Sequence, residues 1–288
     1  GPSWYLMPEV FDHFFALLGT SAREQLDLVR LEPAYRVYHE GEREPFDVVS
    51  GRDAAVAAFE AREPGAGAEL ARYLDSAGEI YDLAVSRFLY DPYVSLKGLA
   101  HPDVLRKLGT LLPLLLRPLS THVEKKFSDP VLQQVLGYPA VFLGGSPYDA
   151  PSLYHLMSHL DLDDGVLYPR GGLVQVIRAI ARLAEDRGAE IRTGTPVERI
   201  LTEGGRATGI RLADGTVVEA DHVISTADMH HTETVLLEPE LRSRSDAWWD
   251  KRTPSFGALL ILLGVEGELP QLEHHTLLFT KDWKANFD

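Results

Sequence analysis

VLYPRGGLVQVIRAIARLAEDRGAEIRTGTPVERILTEGGRATGIRLADGTVVEADHVISTAD, residues 166–228, decides the fold class. Val166 to Tyr168 is a short apolar run that reads as a strand, and Pro169-Arg170-Gly171-Gly172 reads as the turn that ends it. Leu173, Val176, Ile177, Ile180, Leu183 and Ala184 then recur at helical spacing, predicting an amphipathic helix that stops at Gly188. Short strand patterns follow at residues 190–192, 197–201, 208–212, 217–219 and 223–225. The Asp214-Gly215 pair is a hairpin signal, because both residues tolerate the left-handed backbone of a tight turn. Strand, glycine turn, helix and strand meander together predict an α/β chain of mixed α+β character.

On the N-terminal side, Trp4-Tyr5-Leu6-Met7 reads as a strand. Pro8 opens a helix bearing Phe11, Phe14, Phe15 and Leu18, closed by Gly19. Tyr35 to His39 and Pro45 to Val49 are strand-like around a Gly41 turn. A long helical region from Arg52 to Tyr90 breaks at Glu63-Pro64-Gly65, and its second half repeats Leu70, Tyr73, Leu74, Ala77, Ile80 and Tyr81 on one face. Asp129 to Leu143 predicts another helix. Beyond the central stretch, Phe256 to Val265 is a long apolar strand candidate and Thr276 to Phe279 a shorter one. No repeat is visible. The chain opens without Met and stops in KDWKANFD, inside the next helical pattern, so it is expected to be a piece of a longer protein.

The 288 residues carry a net charge of −15, are 45% hydrophobic and contain no cysteine. A disulfide scaffold and any Cys-ligated metal centre are excluded, and absent cysteine fits a reducing compartment. The apolar fraction suits a folded chain, and the length suits two connected lobes. The acidic balance argues against nucleic-acid binding, which needs a basic face. Neither Phe256–Val265 nor Leu111–Leu116 reaches the roughly 20 residues of a membrane span, and GPSWYLMPEVF has no basic leader. Residues 95–127 stand apart: six cations against two acids leave +4, beside Leu111, Leu112, Leu114, Leu115 and Leu116. That composition suits either a helix hairpin with its cations in water or an interfacial membrane contact.

Several chemistries lack their motifs. Gly65-Ala66-Gly67-Ala68-Glu69-Leu70 has no third glycine and follows no strand, so it fails the dinucleotide test. Gly145-Ser146-Pro147 places proline where the helix after a nucleophile should begin. His155 and His159 have metal spacing on a helix, but Leu156 stands where a metalloprotease needs Glu, and packing is the expected role. The doublets His230-His231 and His274-His275 are unspecific, and Asp161, Asp163 and Asp164 are expected in a solvated acidic turn.

Residues 165–228 resemble the central segment of bacterial-type phytoene desaturases, flavin-dependent carotenoid dehydrogenases. GPSWYLMPEVFDHFF, FLGGSPYDAPSLYHLMSHLD and LEHHTLLFTKDWKANFD resemble, in the same order, other segments of that family. The departure is the family's strand–GxGxxG–helix for the FAD pyrophosphate, which does not occur here. The resemblance implies a fragment of a two-domain flavoprotein. Residues 1–50 would supply substrate-domain strands and a helix, and 51–165 a helical subdomain with membrane and substrate entry at 95–127. Residues 166–228 would be part of the FAD-binding domain, and 229–288 would continue the substrate domain.

The resemblance also implies site residues. Val197 would meet the adenine through its backbone, with Ala227 and Asp228 in the Ser-x-Ala-Asp turn near the cofactor; Asp228 also reads as a helix N-cap. Tyr168, Gly171 and Gly172 would lie beside flavin and substrate, where paired glycines admit a flat ring. Arg117 would be a basic, catalytic-side residue near the cavity. The implied reaction removes hydrogens from adjacent CH₂ groups of a polyene such as phytoene, FAD accepting hydride, in a cytoplasmic enzyme peripherally attached to a membrane. An isomerase, ketolase or amine-oxidase-like enzyme, and a non-catalytic lipid-binding module, remain alternatives.

Overall fold

In the computed structural model, which describes residues 4–92, 101–142, 144–252 and 257–287, the strand expected at Trp4–Met7 is a single bridge. Tyr5 donates its N–H to the Leu167 carbonyl at 3.0 Å, after which Met7 turns the chain into helix α1 (Pro8–Leu17). A short helix α2 (Ala22–Gln25) is opened by a capping box between Ser21 and Glu24. Strands β1 (Leu28–Arg30), β2 (Tyr35–His39) and β3 (Phe46–Val48) follow. Helices α3 (Arg52–Arg62) and α4 (Ala66–Ala84) break where Pro64-Gly65 requires, and α4 runs on as a π-helical turn, Val85–Leu89.

The helical region continues with α5 (Pro102–Arg106), α6 (Leu108–Leu116), α7 (Leu119–Glu124), α8 (Pro130–Gly137) and α9 (Pro139–Phe142). Asp129 caps α8, accepting the Val131 and Leu132 N–H groups at 2.8 and 3.1 Å, and Pro130 occupies the first turn. The apolar stripe of α4 is buried as its spacing predicts, Ala77 and Ile80 included, and Leu70, Tyr73 and Leu74 join Tyr35, Phe59, Leu132 and Leu136 in the main core. A smaller cluster of Ile80, Leu83, Val104, Leu111 and Leu114 holds α5 and α6 to α4.

Strand β4 (Leu167–Pro169) leads through the glycine turn into α10 (Val174–Glu185). The hairpin meander is β5 (Val197–Glu203), β6 (Arg206–Leu212) and β7 (Val217–Glu219), followed by α11 (Met229–His231), α12 (Asp246–Trp249) and β8 (Thr276–Phe279). β4 pairs antiparallel with β1, setting Tyr168 opposite Val29. A second sheet has the order β3-β2-β8, β8 running parallel to β2 with Val37 opposite Leu277. The third sheet is the antiparallel set β5-β6-β7.

Two compact units result. One comprises Gly1–Ile180 with Phe256–Asp288, the other Ala181–Ser255. The first thus includes β4, because β1 and the Leu31 N–H, bonded to Val166, hold that strand. The two expected strands at 190–192 and 223–225 form no strand and join no ladder. The expected strand at Phe256–Val265 also differs. Phe256 lies outside the described residues, and 257–265 run unpaired and exposed, Leu259 at 88% and Leu262 at 86%. Nine apolar residues give a strand no stability unless a neighbouring strand completes its hydrogen bonds. Among the described residues no helix is long and apolar enough to cross a membrane.

Candidate functional site

The turn after β4 is built by backbone bonds. Arg170 donates its N–H to Asp27 at 2.8 Å, Gly172 to Pro169 at 3.0 Å, and Gln175 to Gly172 at 2.9 Å. Gly171 and Gly172 both take positive φ, 84° and 93°, so the chain reverses where a side chain would strain it. A Cβ on Gly172 would meet only the Tyr168 hydroxyl at 3.8 Å and Val174 Cγ1 at 3.9 Å. One face of the turn is therefore open. Tyr168, Gly171 and Gly172, read in the sequence as one turn, lie together at the end of β4.

An aromatic wall adjoins that turn. The Tyr168 ring lies 4.2 Å from His274 and 6.1 Å from His275, centroid to centroid. His275 stands 5.6 Å from Trp4. Trp4 stacks on Tyr35 at 4.9 Å and meets Phe142 at 4.9 Å and Tyr138 at 6.3 Å. Sequence reasoning missed this wall. Its only signals were the unspecific His274-His275 doublet and a Trp in an expected strand, and their meeting depends on β8 pairing with β2.

Beneath the wall lies a buried carboxyl. The Tyr35 hydroxyl donates to Asp161 Oδ2 at 3.0 Å, while Asp161 is only 2% exposed and its Oδ1 has no partner. Burial pushes the Asp161 carboxyl up to about 7, and burial with nearby Asp161 pushes the Tyr138 phenol up to about 12. The expectation of a solvated acidic turn is corrected here. Residues 159–164 wind as a π-helical turn that directs Asp161 inward, while Asp163 meets Arg52 at 3.3 Å and His159 at 3.1 Å. His155 packs as expected: it is fully buried, its Nδ1 lies 2.9 Å from the Ser152 carbonyl, and its Nε2 lies 3.0 Å from the Ser76 hydroxyl. No metal-binding cluster of three or more His, Asp or Glu occurs among the described residues.

In the second unit, Val197 begins β5 opposite Leu212 and is 37% exposed, not inward-facing. β5 is an edge strand, so a row of its backbone groups faces away from β6. Asp228 caps α11, accepting the His231 N–H at 2.9 Å as its position predicts, and Ala227 is exposed beside it. The π-helical turn after α11, Thr232–Leu236, packs on β5.

The basic, Leu-rich stretch is partly described; Lys97 lies outside the described residues. Leu111 and Leu114 face inward, whereas Leu112, Leu115 and Leu116 are exposed, Leu116 at 73%. Lys107 Nζ meets Glu79 at 2.8 Å and Lys126 Nζ meets Glu69 at 2.6 Å, while Arg106 stays 78% exposed at 3.4 Å from Asp103. Arg117 is exposed at the end of α6, outside the aromatic wall, and its carbonyl accepts the Ser152 N–H at 2.7 Å.

The sequence pattern of the flavin containing amine oxidoreductase family matches residues 1–257. All of this chain aligns with 58% of the carotenoid 3,4-desaturase of Haloarcula japonica, at 39% identity. It aligns at 33% identity with 55% of the zeta-carotene-forming phytoene desaturase of Myxococcus xanthus. It aligns at 32% identity with half of the phytoene desaturase of Fusarium fujikuroi. The chain thus spans about half the length of these relatives.

Proposed function

Because the chain belongs to the flavin-containing amine oxidoreductase family, we propose that it is the substrate-binding part of an FAD-dependent desaturase acting on a long apolar polyene such as phytoene. The observation that carries this reading is the open side of Gly172 beside Tyr168, in a chain aligned end to end with carotenoid desaturases. On this reading 1–50 and 229–288 contribute substrate-domain elements, 51–165 the helical subdomain and 166–228 part of the cofactor domain.

The residues present fit such a cofactor. Within the second unit, the edge position of β5 at Val197 suits backbone contact with a planar base. Within the first unit, taken by itself, the open side of Gly172 admits a flat ring. When bound, FAD supplies the hydride acceptor. The chain's own task is then alignment and exclusion of water: Tyr168 and its neighbouring rings hold an apolar C–H against that face, and no charged side chain is required at the reacting bond.

A polyene arrives from lipid, so the exposed leucines of α6 with Arg106 and Arg117 are read as the docking tip of a peripheral, cytoplasmic enzyme. Arg117 is assigned to headgroups, since its exposure suits that role better than a catalytic one. The test uses the full-length protein with its flavin and phytoene in liposomes. Visible polyene absorbance should grow while the flavin is reduced and re-oxidised. A flavin-loaded protein that leaves phytoene intact while bleaching with amines would replace this reading with an amine-oxidase one.

A further inference from the structure

The exposed leucines of α5 and α6 form one stripe. Leu105, Leu108, Leu112 and Leu115 recur at steps of three and four residues, and each is about half exposed. Where this stripe begins, a groove of about 310 Å³ is lined by α4 with its π-helical extension on one side and by α5 on the other. Three cations, Arg87, Arg106 and Lys107, and three acids, Glu79, Asp82 and Asp103, line it. Two pairs close on themselves: Arg87 holds Asp103, and Lys107 Nζ lies 2.8 Å from Glu79. The other two groups do not. Arg106, 78% exposed, reaches only Asp103, at 3.4 Å, a carboxylate that Arg87 and His101 already engage. Asp82 is exposed on α4 and makes no ion pair among the described residues. The groove therefore offers one cation and one anion, on separate helices and too far apart to pair. All these residues belong to the unit comprising Gly1–Ile180 and Phe256–Asp288.

We propose that this groove takes the headgroup of phosphatidylethanolamine as α6 docks on a membrane, Asp82 receiving the ammonium and Arg106 the phosphate. A zwitterion with its two charges on a short spacer satisfies both groups at once, which neither a simple anion nor a simple cation can do. A free carboxylate prefers a primary ammonium, which donates hydrogen bonds, over a quaternary one, which has none to give. Arginine meets the phosphate of either kind of lipid. Specificity thus sits on Asp82 and general affinity on Arg106. The source is a membrane lipid because the groove opens onto the leucine stripe, so the acyl chains of a bound lipid lie where the leucines enter the bilayer. A lipid without net charge also escapes the repulsion that a chain of charge −15 meets at an anionic surface. The inference deepens the docking reading of α6 and rests on it.

The test floats the flavin-loaded full-length protein on two sets of uncharged vesicles with the same acyl chains. One is phosphatidylcholine alone, and in the other part of it is replaced by phosphatidylethanolamine. The unmodified protein should attach about threefold more to the second set, the worth of one exposed ion pair. Asp82→Asn, at an exposed position without an ion-pair partner and so safe for folding, should attach equally to both. Arg106→Gln should weaken attachment to both sets and keep the preference. Equal attachment of the unmodified protein to the two sets overturns the proposal and leaves the docking reading in place. So does a preference that survives Asp82→Asn, the result expected if looser bilayer packing draws the protein to the ethanolamine lipid. Saturation-transfer NMR with glycerophosphoethanolamine and glycerophosphocholine is read in parallel. Transfer to the ethanolamine compound that disappears in Asp82→Asn, with no attachment to any vesicle, keeps the headgroup site and removes the docking reading. Absence of both transfer and attachment removes both.

Discussion

Asp161 shows what a single side chain can hide. Three acids in four residues look like surface, and only the winding of 159–164 turns one of them inward to Tyr35. Its folded carboxyl titrates near 7, above the ordinary 3.8, so the folded state holds the proton more tightly than the unfolded chain. The resulting stability is complete below about pH 4 and is lost as pH rises through 7. Asp161→Asn should therefore flatten the fall in stability between those values and raise stability at about pH 8 by on the order of 2 kcal/mol. Urea titrations across pH would check this, and an unchanged slope would show that the carboxyl is not the titrating group. By contrast, Asp228 was legible because a cap is a local device, its oxygen reaching an N–H three residues ahead. Val197 and the Tyr168 turn could be picked out by resemblance, but their exposure and openness are tertiary facts.

Among elements, local rules succeeded and pairing rules were out of reach. The Tyr35–His39 and Thr276–Phe279 strands match their patterns, yet nothing in either says that they lie side by side and parallel. Pro64-Gly65 marked the helix break because proline lacks the N–H that a continuous helix needs. The meander contains one position with no slack. A Cβ at Gly209 would stand 2.2 Å from the Val218 carbonyl oxygen on the neighbouring strand. Gly209→Ala should cost roughly 2–3 kcal/mol and loosen β6 from β7. Hydrogen exchange at 206–219 reports that directly, and unaltered protection there would refute the packing. For α6, Leu116→Asp should abolish most flotation with anionic liposomes, whereas reversing Arg106 and Lys107 together should weaken it by less, since Lys107 already has Glu79 as partner. Equal flotation of the leucine variant would remove α6 from the membrane.

For the whole chain, a charge of −15 opposes the local excess of +4 at residues 95–127. Attachment to anionic vesicles must then be a contest between greasy insertion and global repulsion. Lowering pH from about 7.5 toward the isoelectric point of 5.1 should strengthen it several-fold, as co-sedimentation would measure. Attachment that weakens instead would mean that the acidic surface is not what opposes docking.

The unpaired, exposed run at 257–265 has a practical outcome. Two copies meeting there offer each other an uncharged, adhesive seam with vacant amides and carbonyls, the conditions for strand-to-strand clumping. Concentrated solutions of this polypeptide should scatter light increasingly with time, and a lysine at Leu260 or Leu262 should keep them clear.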